Sequence, residues 1–220
     1  MNFFGQPESF AAAQERMVRE QLREFPRRIT EVMGRVPRHE FVPVEKQKYA
    51  YEDHAMPIGF GQTISQPWIV AMMTTQLNPR PTDRILEIGT GSGYQAAVLA
   101  QLVAEVYSIE IVEPLARRAK EMLQKLNCTN VHLRLGDGHG GWPEAAPFDG
   151  ITVTCAPESV PTPLIAQLKN DGRMLIPVGP LGDQVLFVFQ KHRGQLVELA
   201  RIPVSFVPMT GKTTGSRQYF

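Results

Sequence analysis

The chain has 220 residues, 43% of them hydrophobic, enough to bury one substantial core, so a single domain with an appendage is expected. Its formal net charge of +1 gives no electrostatic reason for a nucleic-acid backbone or an anionic membrane as partner, and Arg27 with Arg28 and Arg117 with Arg118 read as solvated helix faces. Cys128 and Cys155 lack C-x-x-C spacing, the start M-N-F-F-G-Q-P-E has no basic stretch leading into an apolar one, and no window approaches membrane-spanning length, so the expectation is a reducing, cytoplasmic setting without metal or disulfide.

In chain order, Ser9 can cap a helix reaching about Glu24, with Phe10, Ala13, Met17 and Val18 along one side. Pro26 ends it, and Ile29, Val32, Met33 and Val36 repeat at helical spacing until Pro37. Residues 38–43 are loop-like, residues 45–51 suit a short helix, and residues 52–67 are too broken by Gly and Pro to be regular. A helix over residues 68–77 then leads to the run R-I-L-E-I-G-T-G-S-G-Y at 84–94. Ile85, Leu86 and Ile88 suit a central strand covered on both faces. Gly89, Gly91 and Gly93, with Thr90 between the first two, let the backbone turn sharply, and residues 94–102 have helical composition whose first N–H groups face that turn. The result is a cradle for a nucleotide-like ligand.

Strand and helix then alternate, as in a parallel doubly wound sheet. Strands are predicted at 106–109, 131–135, 150–154 and 174–178, the last after the turn N-D-G, with helices at 114–126 and around 164–168. Residues 185–190 and 196–204 read as a closing antiparallel hairpin. The fold class is therefore α/β with an N-terminal helical extension, divided as residues 1–78, 79–205 and 206–220.

Glycine spacing alone leaves two ligand classes open. A dinucleotide fingerprint needs G-x-G-x-x-G/A, which fails from Gly89 at Tyr94 but fits from Gly91 with Ala96. The frame opening at Glu87 instead resembles the E-x-G-x-G-x-G signature of class I S-adenosylmethionine-dependent methyltransferases. Glu110, roughly twenty residues beyond the first glycine, can accept from both hydroxyls of a ribose in either class. Asp137 in G-D-G can accept from an exocyclic amine, while Gly138 leaves room for a flat ring. The alternative for Asp137 is an ordinary turn aspartate.

Several motifs together resemble the protein-L-isoaspartate O-methyltransferase family along nearly the whole chain: V-P-R-H-E-F-V-P at 36–43, P-I-G-F-G-Q-T-I-S-Q-P at 57–67, L-E-I-G-T-G-S-G-Y at 86–94, G-D-G at 136–138, P-F-D-G-I-T-V-T at 147–154, L-I-P-V-G at 175–179 and F-V-P-M-T at 206–210. The resemblance implies a Rossmann-like methyltransferase fold and S-adenosyl-L-methionine as cofactor. Its partners would be damaged proteins and peptides carrying L-isoaspartyl residues; separately from the resemblance, a monomer is expected. It also implies that Ser65 is the active-site hydroxyl, with Gln62, Thr63, Ile64 and Thr210 around cofactor and substrate. The tail after Thr210 departs from the pattern, and Arg217 and Gln218 receive no assignment.

The acceptor chemistry explains why few catalytic side chains are visible. An isoaspartyl carboxylate, with a pKa of about 3.5 to 4, is already ionised at neutral pH and needs no general base. His39, His54, His132, His139 and His192 show no ligand spacing and suit surface or supporting roles. Ser65, just before Q-P-W, also suits capping of the following helix. A methyltransferase of small molecules and a binding module without turnover are the competing readings.

Overall fold

Ser9 begins the N-terminal helices as its type requires, its hydroxyl accepting from the Ala12 N–H at 3.2 Å. The computed structural model describes residues 8–211, so Arg217 and Gln218 lie outside the described residues. Helix α1 (Phe10–Arg16) passes into a π-helical turn at Met17–Gln21, so helical structure stops short of the expected Glu24. Helix α2 (Arg27–Met33) follows, then 3-10 turns at Arg38–Phe41, where a loop was expected, and at Val44–Tyr49.

The stretch expected to be irregular holds a small antiparallel pair, β1 (Met56–Gly59) with β2 (Gln62–Ile64). Gly59, Phe60 and Gly61 all have left-handed φ, 95°, 56° and 69°, so three consecutive residues reverse the chain. Helix α3 (Pro67–Leu77) starts with proline in its first turn.

The main sheet comprises β3 (Arg84–Ile88), β4 (Glu105–Glu110), β5 (Val131–Leu135), β6 (Phe148–Val153), β7 (Leu168–Val178), β8 (Gln184–His192) and β9 (Gln195–Val204) in the order β5-β4-β3-β6-β7-β8-β9. The first five run parallel; β8 and β9 are antiparallel, joined by Arg193 and Gly194, both with positive φ as a two-residue hairpin turn demands. The N-D-G read as a turn before β7 lies inside it, where Asp171 has φ 65° and the register against β6 jumps.

Helices α4 (Tyr94–Ala100), α5 (Glu113–Lys125) and α6 (Thr162–Gln167) complete the crossovers. Ile85, Val106 and Leu175 pack with α3, α4, α5 and the N-terminal helices, while Leu86, Ile88, Ile151 and Met174 pack with Leu164 of α6 on the opposite face. Both faces are thus apolar, as doubly wound strands require. The chain departs in opposite directions from β3, towards β4 and β6, and the carboxyl ends of these strands open a crevice at that switch point. Among the described residues no helix is long and apolar enough to cross a membrane.

Candidate active site

The crevice is an open cleft of about 530 Å³, continuous with solvent. Its floor is the turn after β3. Gly89 and Thr90 donate their N–H groups to the Ile109 carbonyl at 2.8 and 3.2 Å, which folds the turn over the end of β4. Glu110, 5% exposed, accepts from Gly91 N–H at 2.7 Å and Val112 N–H at 2.9 Å, one on each carboxylate oxygen. Each oxygen keeps acceptor capacity for a ligand hydroxyl. Sequence reasoning placed Glu110 at the ligand; it did not show that the same carboxylate also shapes the cradle.

The three cradle glycines serve different neighbours. A Cβ at Gly89 would lie 2.5 Å from Thr154 Oγ1, and one at Gly93 would lie 3.2 Å from the Ala119 Cβ of α5. Gly93 therefore permits helix packing, away from the cleft. A Cβ at Gly91 would meet only Ile58 Cδ1, at an ordinary 3.6 Å, so this is the position where a ligand can approach the main chain. At Gly138 a Cβ would collide with Ile88, so packing against β3 requires this glycine before any flat ring does.

Glu87 is not at the cleft surface. It shares a face of β3 with Ile85, is 0% exposed, and accepts a hydrogen bond from the Ser108 hydroxyl, which in turn bonds the Thr90 hydroxyl at 2.6 Å. Burial, more than the neighbouring Glu110, pushes its carboxyl up to about 8. Glu87 and Thr90 thus support the cradle from beneath. Asp137 sits between two cleft residues, Gly136 and Gly138, and its Oδ1 accepts from the backbone N–H of His139 at 2.9 Å and meets His139 Nδ1 at 2.8 Å. The turn role weighed for Asp137 is therefore present, and His139 fixes its direction.

The opposite wall comes from distant segments. Gln62 and Thr63 of β2 reach the cleft, Ile64 is buried pairing Met56, and Ser65, next in the chain, is half-buried and not among the residues that line the cleft. Ser65 does not cap α3: the Trp68 N–H donates to Asp53 Oδ1 at 3.0 Å. Arg118, read as a solvated face, instead donates to the Ile58 carbonyl at 3.3 Å and lies 5.4 Å from the Phe60 ring, tethering β1 to α5. Residues 207–210 close the far side, pinned by Ala156 N–H to Val207 O and Met209 N–H to Ala156 O, both 2.8 Å, and Thr210 lines the cleft. Gln184 holds the approach to this segment, its Nε2 donating to the Phe206 carbonyl at 3.0 Å.

Cys155 also lines the cleft, which sequence reasoning missed; burial, with the carboxylates of Glu110 and Asp137, pushes its thiol up to about 12, so it stays neutral. Exposed Ile111 follows Glu110 at the rim and, with Ile109 and Met209, gives the cleft apolar surface for a ring system. A cradle approachable at Gly91, a carboxylate beside it and apolar walls fit the adenosine portion of S-adenosyl-L-methionine.

Comparison with known proteins agrees. The family model described as Protein-L-isoaspartate(D-aspartate) O-methyltransferase (PCMT) matches residues 13–214. A Protein-L-isoaspartate O-methyltransferase 2 of Nitrosococcus oceani is 54% identical over 187 residues, covering 84% of this chain and 85% of that protein. A Protein-L-isoaspartate O-methyltransferase of Opitutus terrae is 54% identical over 202 residues, covering 89% and 86%. A solved protein-L-isoaspartate O-methyltransferase superposes with a TM-score of 0.82 at 30% identity, covering 90% of this chain and 66% of its own. The chain belongs to the protein-L-isoaspartate(D-aspartate) O-methyltransferase family.

Proposed function

We propose that this chain transfers the methyl group of S-adenosyl-L-methionine to the free α-carboxyl of L-isoaspartyl residues in damaged proteins and peptides, a first step towards restoring normal linkages. The observation that carries this reading is that β2 and residues 207–210 wall the same cleft whose floor is the glycine cradle and Glu110. Bound in the cleft, the cofactor supplies an electrophilic sulfonium methyl group.

The protein's part is to bind and orient. Glu110 takes the ribose hydroxyls, Asp137 the adenine amine, and Gly91 the close approach to the backbone, while Gln62, Thr63 and Thr210 stand between cofactor and peptide. Ser65 donates its hydroxyl to one oxygen of the acceptor carboxylate and leaves the other to attack. That carboxylate arrives ionised, so orientation and partial exclusion of water replace base catalysis. Residues 1–78, 79–205 and 206–220 act as parts of one domain. The protein works in the cytoplasm as a monomer, and its formal net charge of +1 supports a reading without nucleic-acid or membrane partners.

Selectivity follows from where the carboxyl sits. In an isoaspartyl residue the α-carboxylate is attached directly to Cα, one methylene shorter than an aspartyl side chain, and a rigid site can measure that difference. A displacement of an ångström can cost on the order of a hundredfold. Paired isoaspartyl and aspartyl peptides tested as methyl acceptors should differ by about that factor, and the preference should persist at high salt, which screens exposed charges but not geometry. Comparable rates for both peptides would leave only a general carboxyl methyltransferase, and no transfer to either would remove the assignment.

A further inference from the structure

Arg38 heads the fully buried side chains, at 0% exposure. Arginine in such a place ordinarily faces a carboxylate; here the partners are main-chain carbonyls. Its Nε donates to Ala50 O at 2.7 Å and its Nη2 to Ser65 O at 2.6 Å. The guanidinium carbon stands 4.9 Å from the ring centroid of Tyr94, the first residue of α4 and the next after the glycine turn. Burial lowers its pKa to about 10, so the cation persists at neutral pH. Nη1 and the Tyr94 hydroxyl are both buried and fall outside strict hydrogen-bond geometry, but the guanidinium and the phenol attract one another, which offsets part of the rise that burial gives the Tyr94 pKa.

Such an arrangement is costly for a mere core filler, since an apolar side chain of similar volume avoids the buried charge. What the guanidinium provides is a planar edge with two donors in fixed relation, so two carbonyls determine both its position and its plane. One carbonyl belongs to Ser65, and the guanidinium carbon lies over the ring of Tyr94, the first residue of the helix that starts at the cradle. We infer that Arg38 is a positioning residue, fixing Ser65 against the glycine cradle and so setting the separation between acceptor carboxylate and cofactor. This rests on the proposed role of Ser65. Lysine can reach one carbonyl but cannot present the paired edge.

The test compares Arg38→Lys and Arg38→Met with Ile29→Ala, a control that opens a cavity in the buried face of α2. With an isoaspartyl peptide, both Arg38 variants should lose about ten- to a hundredfold in kcat, while peptide KM and cofactor Kd by calorimetry stay within about threefold. The control should lose thermal stability and keep its kcat. Amide hydrogen exchange reads the clamp without substrate: protection over residues 62–66 should fall about tenfold or more in Arg38→Lys, with β4 unchanged. Unchanged protection or kcat in folded Arg38 variants, a parallel loss of cofactor affinity, an equal kcat loss in the control, or failure of both variants to fold would each overturn the positioning role. An inactive wild type whose residues 62–66 still respond to Arg38→Lys would overturn the functional reading and leave the clamp standing.

Discussion

The two walls of the cleft are held by different chemistry. On the cofactor side, backbone N–H groups close onto carbonyls and a carboxylate that follow within one strand–helix–strand unit, as in Gly91 to Glu110 at 2.7 Å. On the acceptor side, long side chains reach across from elsewhere: Arg38 to Ser65, Arg118 to Ile58 and Gln184 to Phe206. The first wall is set by local chain geometry; the second is set by tertiary contacts. If the second wall receives the acceptor, as proposed, it can shift while the cofactor still binds, and rate and affinity should be separable by mutation.

The largest separation is expected at Ser65. Ser65→Ala should lower kcat by about ten- to a thousandfold if the hydroxyl orients the acceptor, with cofactor affinity and melting temperature unchanged. Asp53→Ala should do the converse for stability, costing about 1 kcal/mol, because its carboxylate caps the Trp68 N–H. Thermal unfolding and steady-state rates on both variants decide the matter. A Ser65→Ala protein of lowered melting temperature and full activity would put Ser65 in the structural class instead.

A smaller effect is expected on the other wall. Glu110→Ala removes the acceptor of two backbone donors, and cofactor binding should weaken by roughly 1 to 3 kcal/mol, the range for losing charge-assisted hydrogen bonds. Peptide KM measured at saturating cofactor should hold. Calorimetry showing unchanged cofactor affinity would mean that the turn after β3 keeps its shape without Glu110 and that the ribose is held elsewhere.

The same division explains what could be read from the residues alone. The cradle was legible because strand, glycine turn and helix are contiguous, and the closing hairpin because only K-H-R-G-Q separates two apolar runs, although the turn itself is tighter, Arg193 and Gly194 alone. Residues 52–67 were not, because their pairing depends on Phe60 adopting a left-handed φ of 56°, which side-chain type does not announce. Arg38 and Arg118 were passed over because arginine is ordinarily a surface residue, and the carbonyls they meet lie 27 and 60 positions away. Glu87 could have been placed correctly: in a strand, alternate residues share a face, and Ile85 already pointed to the helices.

Glu87 offers the finest test of the cofactor wall, since its hydrogen-bonded link to the cradle runs through Ser108 and Thr90. Burial raises its pKa from 4.5 to about 8, so near neutrality the folded protein holds a proton that the unfolded chain has already released. Between those two values the folded state binds more protons, and stability must fall as pH rises. The contribution of neutral Glu87 is fully present below about pH 4.5 and is lost as pH climbs towards 8. Glu87→Gln keeps an oxygen to accept from Ser108 and removes the titration. Its stability relative to wild type should therefore grow with pH from 6 to 8, by on the order of 1 kcal/mol per unit at most. Cofactor affinity should lose part of its pH dependence along with it, and peptide KM should not change. Parallel stability curves for the two proteins across that interval would show that Glu87 is already ionised in the fold, and that Ser108 and Thr90 hold a carboxylate, not an acid.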